Sequence, residues 1–455
     1  CRRACPCHLD AWRWAEVAHP RSFVLGIDHL RRIRGDQLAF YAELHARHGD
    51  AVRLRLGPNR LWLFFHPREI EGVLVRHWAS FERARRIMDV VRQWNGDSLL
   101  LAEGQDWRDR RRKVQPAFAS RRVAAYADAA AGHATRFCDA LGNGDEASLD
   151  VDAACARLTL DIACATLFGA EPLPNGDEVE RAIQILSDTA FRESAAPVTL
   201  PDWLPLPAKT RKVWAMRVMD DVVTGLVRRR LEEGGGDRGD LLSMLVDQHD
   251  GDPQAIRDDA MSLLIAGHET SGALLTWLFW ALIEHPGWTA RIRDEADTVV
   301  GARAITAADV PKLPVLRAVV AEVLRLWPPA YSLFLRQATE PVRLDAVTIA
   351  RGDLVQIVPY TIHRDPRWFA DPHAFRPERF LGEATWPAHS YLPFGDGPRI
   401  CIGQNFALVE ACIVVATILR RWVPMSVAEA PVVEAKFSLR PRGGLVMRWA
   451  RVSRA

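Results

Sequence analysis

Apolar and polar residues alternate over residues 51–66, AVRLRLGPNRLWLFFH, on either side of Gly57-Pro58-Asn59. A period of two broken by such a turn predicts a β-hairpin. From 107 to 232 the apolar spacing is mostly helical, and it is helical again over 254–285 and 287–300. LEEGGGDRGD, residues 231–240, reads as a loop between helices. Short strands return between 340 and 365, and the last segment, KFSLRPRGGLVMRWARV, predicts a hairpin turning at Gly443 and Gly444. The expected fold is mainly α with small β-sheets, the sheets gathered at the two ends of the chain.

Composition narrows the class. With 455 residues, 49% hydrophobic and 25% charged, the chain has the balance of a globular protein and can enclose a bulky cofactor. A net charge of +2 gives no global field for nucleic acid or an anionic membrane. The longest apolar run, GALLTWLFWALI, is too short for a transmembrane anchor and belongs to an amphipathic pattern. No signal peptide is visible, and a reducing, cytoplasmic compartment is expected. Cys138, Cys155, Cys164 and Cys412 fall in apolar helical patterns, as small buried hydrophobes do. Cys1, Cys5 and Cys7 lie in CRRACPCH, with no second pair at metal-ligand spacing after them.

Cys401 differs. It sits in LPFGDGPRICIGQNFALVEA, residues 392–411, among Gly395, Gly397 and Gly403 and just before an apolar helical pattern. A thiol in such a turn, at a helix N-terminus, is expected to have a lowered pKa. Glycines allow a tight turn and close approach of backbone to a flat partner. The pattern suits a cysteine ligating a haem iron. A structural cysteine, a nucleophile lacking a nearby histidine and a zinc site short of ligands are the alternatives at this point.

A second oddity is LLIAGHETSGALLTW, residues 263–277, where Gly267, Thr270, Ser271 and Gly272 are poor residues for a helix interior. A threonine hydroxyl there can bond back to the preceding turn. Two further patterns are AEVLRL, which places Glu322 and Arg325 on one helix face, and WRDRRRKVQPAF, which places Trp107 and Arg111 one turn apart.

FGDGPRICIG, with Phe394, Gly395, Gly397, Arg399, Cys401 and Gly403, resembles the haem-binding signature of the cytochrome P-450 superfamily. The resemblance extends over nearly the whole chain, and the other motifs follow in the family's order. It implies the cytochrome P-450 fold, a single haem domain over 1–455 with no fused reductase, and haem b held through Cys401 as the metal ligand. It further implies Trp107, Arg111, Ala266, Arg336, Phe394, Arg399 and Gly403 around the cofactor. Thr270 and Glu269 match the pair that delivers protons when O2 is activated, with Ala266 and Gly267 forming the oxygen groove. His268 is read as structural. Glu322 and Arg325, completed by Arg379 of FRPERF, match a structural network. By family position Leu100, Leu263, Ala266, Thr270, Ser332, Leu333 and Phe437 line the substrate pocket, and AAPVTLPDWLPLP, residues 195–207, is the lid.

The implied activity is a monooxygenase inserting one oxygen atom of O2 into a lipophilic terpenoid, fatty acyl or polyketide substrate. Electrons come from NAD(P)H through a ferredoxin or flavodoxin and its reductase, and Arg108, Arg110, Arg112 and Lys113 form a basic patch for that donor. A monomer is expected. A peroxide-using or isomerising haem-thiolate enzyme, or a haem sensor, is the rival reading. The first tends to lose the acid–alcohol pair that Glu269 and Thr270 retain, and an electron carrier would fill both axial positions.

Overall fold

The computed structural model describes residues 20 and 26–452, except 171, 172, 174, 195, 197, 235, 237 and 346; Cys1, Cys5 and Cys7 lie outside the described residues. Helix α1 (Ile27–His48) precedes β1 (Ala51–Leu56), β2 (Asn59–Phe64) and α2 (Pro67–Glu71). Strand β3 (Phe81–Arg83) leads into α3 (Arg85–Asn95), α4 (Gly104–Val114) and α5 (Ser120–Ala140). After β4 (Glu146–Asp150) come α6 (Val151–Phe168), α7 (Gly176–Ser194), α8 (Pro207–Glu232), α9 (Leu241–Gln248), α10 (Pro253–Glu284), α11 (Pro286–Val300) and α12 (Pro314–Leu326). Then follow β5 (Arg336–Ala338), β6 (Val342–Arg343), β7 (Thr348–Ile349), β8 (Leu354–Ile357) and α13 (Pro359–Ile362). The chain closes with α14 (Gln404–Leu419), β9 (Trp422–Val427), β10 (Val433–Ala435), β11 (Leu439–Pro441) and β12 (Val446–Arg451).

The first hairpin forms as its alternation requires. β1 and β2 pair antiparallel with Leu56 opposite Asn59. Val52, Leu54, Leu61 and Leu63 are buried in one core with Phe40, Tyr41 and Leu44 of α1. β2 then pairs in parallel with β8, completing a sheet of order β1-β2-β8-β5-β3. Strands nearly 300 residues apart thus share one ladder, a non-local pairing that no local pattern encodes.

Three expectations change. The last segment is not one hairpin: β11 pairs with β10, whereas β12 lies between β4 and β9. Gly443 and Gly444, both at positive φ, swing the chain from one small sheet to the other. The strands are also not confined to the chain ends, because β4 interrupts the helical stretch 107–232 to pair with β12. Within 340–365, Pro359–Ile362 is a helical turn, with Pro359 where a helix tolerates a missing N–H.

Helix α10 organises the interior. Asp252 caps it, its carboxylate accepting from the Gln254 and Ala255 N–H groups, and Pro253 occupies the first turn. Apolar residues of 256–265 pack into a core shared with α3, α6, α7, α8 and α9. Those of 274–282 pack into a second core with α5, α12 and α14. Between these two buried stretches lies the AGHETSG segment, so the most polar part of the helix interior falls where the cores meet.

Candidate active site

The cysteine loop is built by backbone constraints. Gly395 (φ +75°) and Gly397 (φ +68°) adopt left-handed conformations. A Cβ on Gly397 would lie 2.0 Å from the Leu74 carbonyl oxygen, so no other residue fits. The Cys401 N–H donates to the Phe394 carbonyl (3.0 Å), closing the loop just before α14. Cys401 is accessible, whereas Cys138, Cys155, Cys164 and Cys412 are buried, as the sequence implied. The expected lowering of its pKa is not found. Crowding by surrounding protein raises the thiol, and the Gly403 N–H and the Arg111 charge oppose this without prevailing. The protein groups around Cys401 therefore do not by themselves favour the thiolate.

On α10, Ala266 is exposed in a helix that is otherwise largely buried, and Gly267 and Thr270 are partly accessible. The Thr270 hydroxyl donates to the Ala266 carbonyl at 2.9 Å, the back-bond expected from the sequence. The helix nevertheless runs unbroken through this region. The two glycines of this segment both face α6. A Cβ on Gly272 would lie 3.2 Å from Ala156 Cα, so this glycine permits close packing on α6. A Cβ on Gly267 would point to Leu167, at 3.6 Å, and Ala266 is the more exposed of the two.

Glu269 is buried and accepts hydrogen bonds from Ser187 (2.5 Å) and Ser438 (2.9 Å). Burial raises its pKa against the pull of Arg440 and the two serines. Arg440 donates to the Glu269 carbonyl (3.0 Å) and to Asp152 (2.9 Å), tying the acid to α6. His268 turns away, its Nδ1 lying 3.2 Å from the Thr159 hydroxyl, and burial lowers its pKa to about 3. It is a neutral packing residue.

Three guanidinium groups, those of Arg83, Arg336 and Arg399, gather around the Glu103 carboxylate, and Arg111 lies close to them. Arg399 pairs with Glu103, donates to the Ala102 carbonyl (3.0 Å) and lies over the Trp107 ring at 4.2 Å. Arg111 donates to the Ile400 carbonyl (2.8 Å), one residue from the cysteine. Arg83 lies 3.7 Å from Glu103. The Arg336 guanidinium makes no hydrogen bond among the described residues; burial and then Arg83 lower its pKa to about 10. Arg399 is lowered to about 9 by burial and then by Arg83. So much buried positive charge against Glu103 alone calls for further anions. Arg83 was missed from the sequence, because FERA carries no motif and β3 reaches this cluster only by pairing with β5.

Glu322 and Arg325 are fully buried. All five Arg325 donors are used: two on Glu322 (2.7 and 2.8 Å) and the others on the carbonyls of His363, Pro372 and Ala374. Glu322 also accepts from the Arg376 N–H (2.7 Å) and Arg379 Nε (3.2 Å). His363 carries this frame to the cysteine loop, its Nε2 accepting from the Leu392 N–H (2.7 Å). Sequence reasoning missed His363, whose only signal is a histidine after an apolar strand.

Next to Ala266 a cavity is lined by Leu100, Phe437, Val91, Trp94, Ile265 and neighbouring residues. Leu100, Ala266 and Phe437 were expected there. Leu263 instead packs into the core with α7 and α8. Leu333 approaches the cysteine loop, 3.8 Å from a Cβ placed on Gly395. Ser332 is half-buried beside it. A larger cleft of ≈570 Å³ opens between α3 and α4, lined by Arg85, Asp89, Arg92 and Asp106 and reaching Arg83, Ala102 and Glu103; neither Thr270 nor Cys401 is in its lining. The described part of 195–207 links α7 to α8 and exposes Val198 and Trp203; Ala195 and Pro197 lie outside the described residues. Asp202 from this loop and Glu193 bind Lys209 and the buried Lys212, which also reaches Gln93 (2.5 Å).

An accessible thiol, an open alanine on the facing helix and a cluster of surplus guanidinium groups fit a flat, bis-anionic cofactor with one ligand position on cysteine: a haem-thiolate protein. Comparison with known proteins agrees. The family profile described as Cytochrome P450 matches residues 18–446. Cyclooctatin synthase of Streptomyces melanosporofaciens is 35% identical over 90% of both chains. Cyclooctat-9-en-7-ol 5-monooxygenase of the same organism is 33% identical over 90% of this chain and 89% of its own. Pentalenene oxygenase of Streptomyces avermitilis is 29% identical over 87% and 88%. The crystal structure of CYP175A1 from Thermus thermophillus matches with a TM-score of 0.77 at 28% identity, over 96% of this chain and all of that one. The chain belongs to the cytochrome P450 family, and it is a monooxygenase of that family with its fold. The family implies haem and O2. Among the described residues, no helix is long and apolar enough to cross a membrane.

Proposed function

We propose that this monooxygenase hydroxylates a cyclic terpenoid. The observation that carries this reading is the similarity, along nearly full length, to enzymes named for oxidising cyclooctatin precursors and pentalenene. The apolar cavity beside Ala266 supports it, since no cationic side chain lines that cavity to hold a fatty-acid carboxylate.

Haem b, when bound, supplies O2 activation and C–H oxidation. Cys401 would ligate its iron. Arg111, Arg336 and Arg399, with Arg83 and Trp107, would hold its carboxylates; Phe394 and Gly403 flank the ligand loop, and Ala266 would leave room for it. Glu269, whose pKa burial raises, is the proton source, and Thr270 passes protons on through its hydroxyl. Glu322, Arg325 and Arg379 keep the loop in place. Electrons arrive from NAD(P)H through a ferredoxin or flavodoxin and its reductase. Arg108, Arg112 and Lys113, exposed on α4, offer a basic docking face, although Asp106 and Asp109 on the same helix offset it and Arg110 is held by Asp106.

The test has two arms. Reduced, CO-bound protein is expected to show the red-shifted Soret band of a thiolate haem, and Cys401→Ser to lose it. A panel of cyclic terpenoids, fatty acids and macrolides is then screened for the high-spin shift of the ferric haem and for turnover with ferredoxin and reductase. Shifts and oxygenated products confined to fatty acids or macrolides would sink the terpenoid reading.

A further inference from the structure

The cavity beside Ala266 has three uncharged polar side chains in its wall: Asn95, Ser187 and Ser262. Two are committed. Ser187 donates to Glu269, and Ser262 donates to the Ser98 hydroxyl, both at 2.5 Å. Asn95 is not. It is 2% exposed, and its Oδ1 has no hydrogen-bond partner among the described residues. No side-chain hydrogen bond to Asn95 occurs among the described residues. A buried amide left unpaired is costly, and native proteins rarely tolerate one without a reason. Its neighbours Val91, Trp94, Leu100, Ile265 and Phe437 would accept an alkyl side chain at no such cost.

The backbone holds Asn95 in place. It ends α3, and Gly96 (φ +59°) caps the helix with its N–H on the Arg92 carbonyl at 3.0 Å. A Cβ on Gly96 would lie 2.1 Å from the Asp258 carboxylate, so glycine is required. The next N–H groups are taken by α10: Asp97 donates to Asp258 (2.8 Å) and Leu99 to Asp259 (2.5 Å). The end of α3 is thereby pinned to the helix that carries Ala266 and Thr270, and the amide is presented from a rigid frame.

We infer that Asn95 is a specificity-determining anchor that hydrogen-bonds an oxygen already present on the substrate. The inference rests on the monooxygenase reading above and adds a substrate class: a neutral terpenoid alcohol or ketone, not a bare hydrocarbon. An amide offers an acceptor on one side and a donor on the other, so it serves a hydroxyl or a carbonyl. With no cation in the lining, a carboxylate is disfavoured. Free space there is ≈20 Å³, so the walls part for the skeleton as the substrate oxygen reaches Asn95. Fixing one oxygen at Asn95 selects which C–H bond lies near Thr270. The reaction that supplies such a substrate is an earlier hydroxylation or a cyclisation terminated by water.

The test compares matched probes on the haem-loaded protein: cedrol with cedrane, and menthone with p-menthane, titrated by the ferric high-spin shift. The parent is expected to bind each oxygenated member about tenfold more tightly than its hydrocarbon, the scale of one hydrogen bond to a buried group. Asn95→Leu is expected to bring that ratio to about one. Asn95→Ala repeats the measurement should the leucine variant fail to load haem. Equal affinities in the parent, or a preference that survives both substitutions, overturn the inference while leaving a functional haem-thiolate protein. A parent without the red-shifted CO band, or without a shift for any probe, overturns the proposed function and this inference with it.

Discussion

Two buried acids near the reacting face behave differently because their partners differ. Glu269 has two serine donors and the Arg440 charge, whereas Glu410 on α14 accepts from Ser271 alone (2.6 Å). Burial raises Glu410 to about 8, with Ser271 opposing. A carboxyl raised on folding favours the native state at low pH. Its contribution is complete below the unfolded value near 4.5 and fades as pH rises through about 8. Glu410→Gln keeps an acceptor for Ser271 and removes the titration. It is expected to leave Tm unchanged at pH 4.5 and raise stability at pH 8.5, by on the order of 3 kcal/mol. Equal effects at both pH values would place the carboxyl in contact with water. Thr270→Ala deletes the hydroxyl but little of the wall. Reduced nicotinamide should still be consumed while product per electron falls and hydrogen peroxide rises. Coupling equal to the parent's would show that protons travel from Glu269 through water alone.

At the scale of elements, the cysteine loop depends on α12 through Arg325 and His363. Arg325→Ala leaves Glu322 buried with only Arg379 and one N–H for compensation, at a cost of about 3–5 kcal/mol. Expression should yield little haem-loaded protein. Arg325→Lys should rescue poorly, since an ammonium cannot reach three carbonyls and a carboxylate from the geometry of a guanidinium. His363 accepts from Leu392 at Nε2, with its Nδ1 3.2 Å from the Arg325 carbonyl oxygen, and burial holds it neutral, its pKa lowered to about 3. His363→Leu frees the Leu392 N–H in a dry site. The measurement is haem retention during mild denaturation, with earlier loss expected than in the parent. Retention equal to the parent's would show that Gly395 and Gly397 alone define the loop.

For the whole molecule the question is access. The cavity is nearly closed, and the segment between α7 and α8 is tied down by Lys209 and Lys212. Lys212 also reaches α3 through Gln93, so one side chain links this segment to the helix that bears Asn95. Lys212→Met removes that link and leaves Glu193 and Asp202 to Lys209. Ligand release, followed by stopped-flow decay of the high-spin state, is expected to quicken by about tenfold, the effect of a charge-assisted bond worth ~1.5 kcal/mol. An unchanged rate would move the entrance elsewhere.

Much of this was written locally. The hairpin at 51–64 follows from strict alternation and its turn, α10 from helical spacing and an Asp-Pro start, and the cysteine loop from glycines that its positive-φ turn requires. Glu322 and Arg325 share a helix face by spacing alone. Tertiary structure decided the rest, because those outcomes depend on chain segments far apart. It brought β3 to β5 and so placed Arg83 beside Arg336 and Arg399; it aimed Gly267 and Gly272 at α6. Packing against α10 left one amide, Asn95, without a partner in an apolar wall. The thiol makes the same point, for its glycines promised a lowered pKa and burial, which no local window reports, raised it. Period and turn chemistry act over a handful of residues, whereas burial, charge clustering and cavity shape are sums over neighbours that only the folded chain supplies.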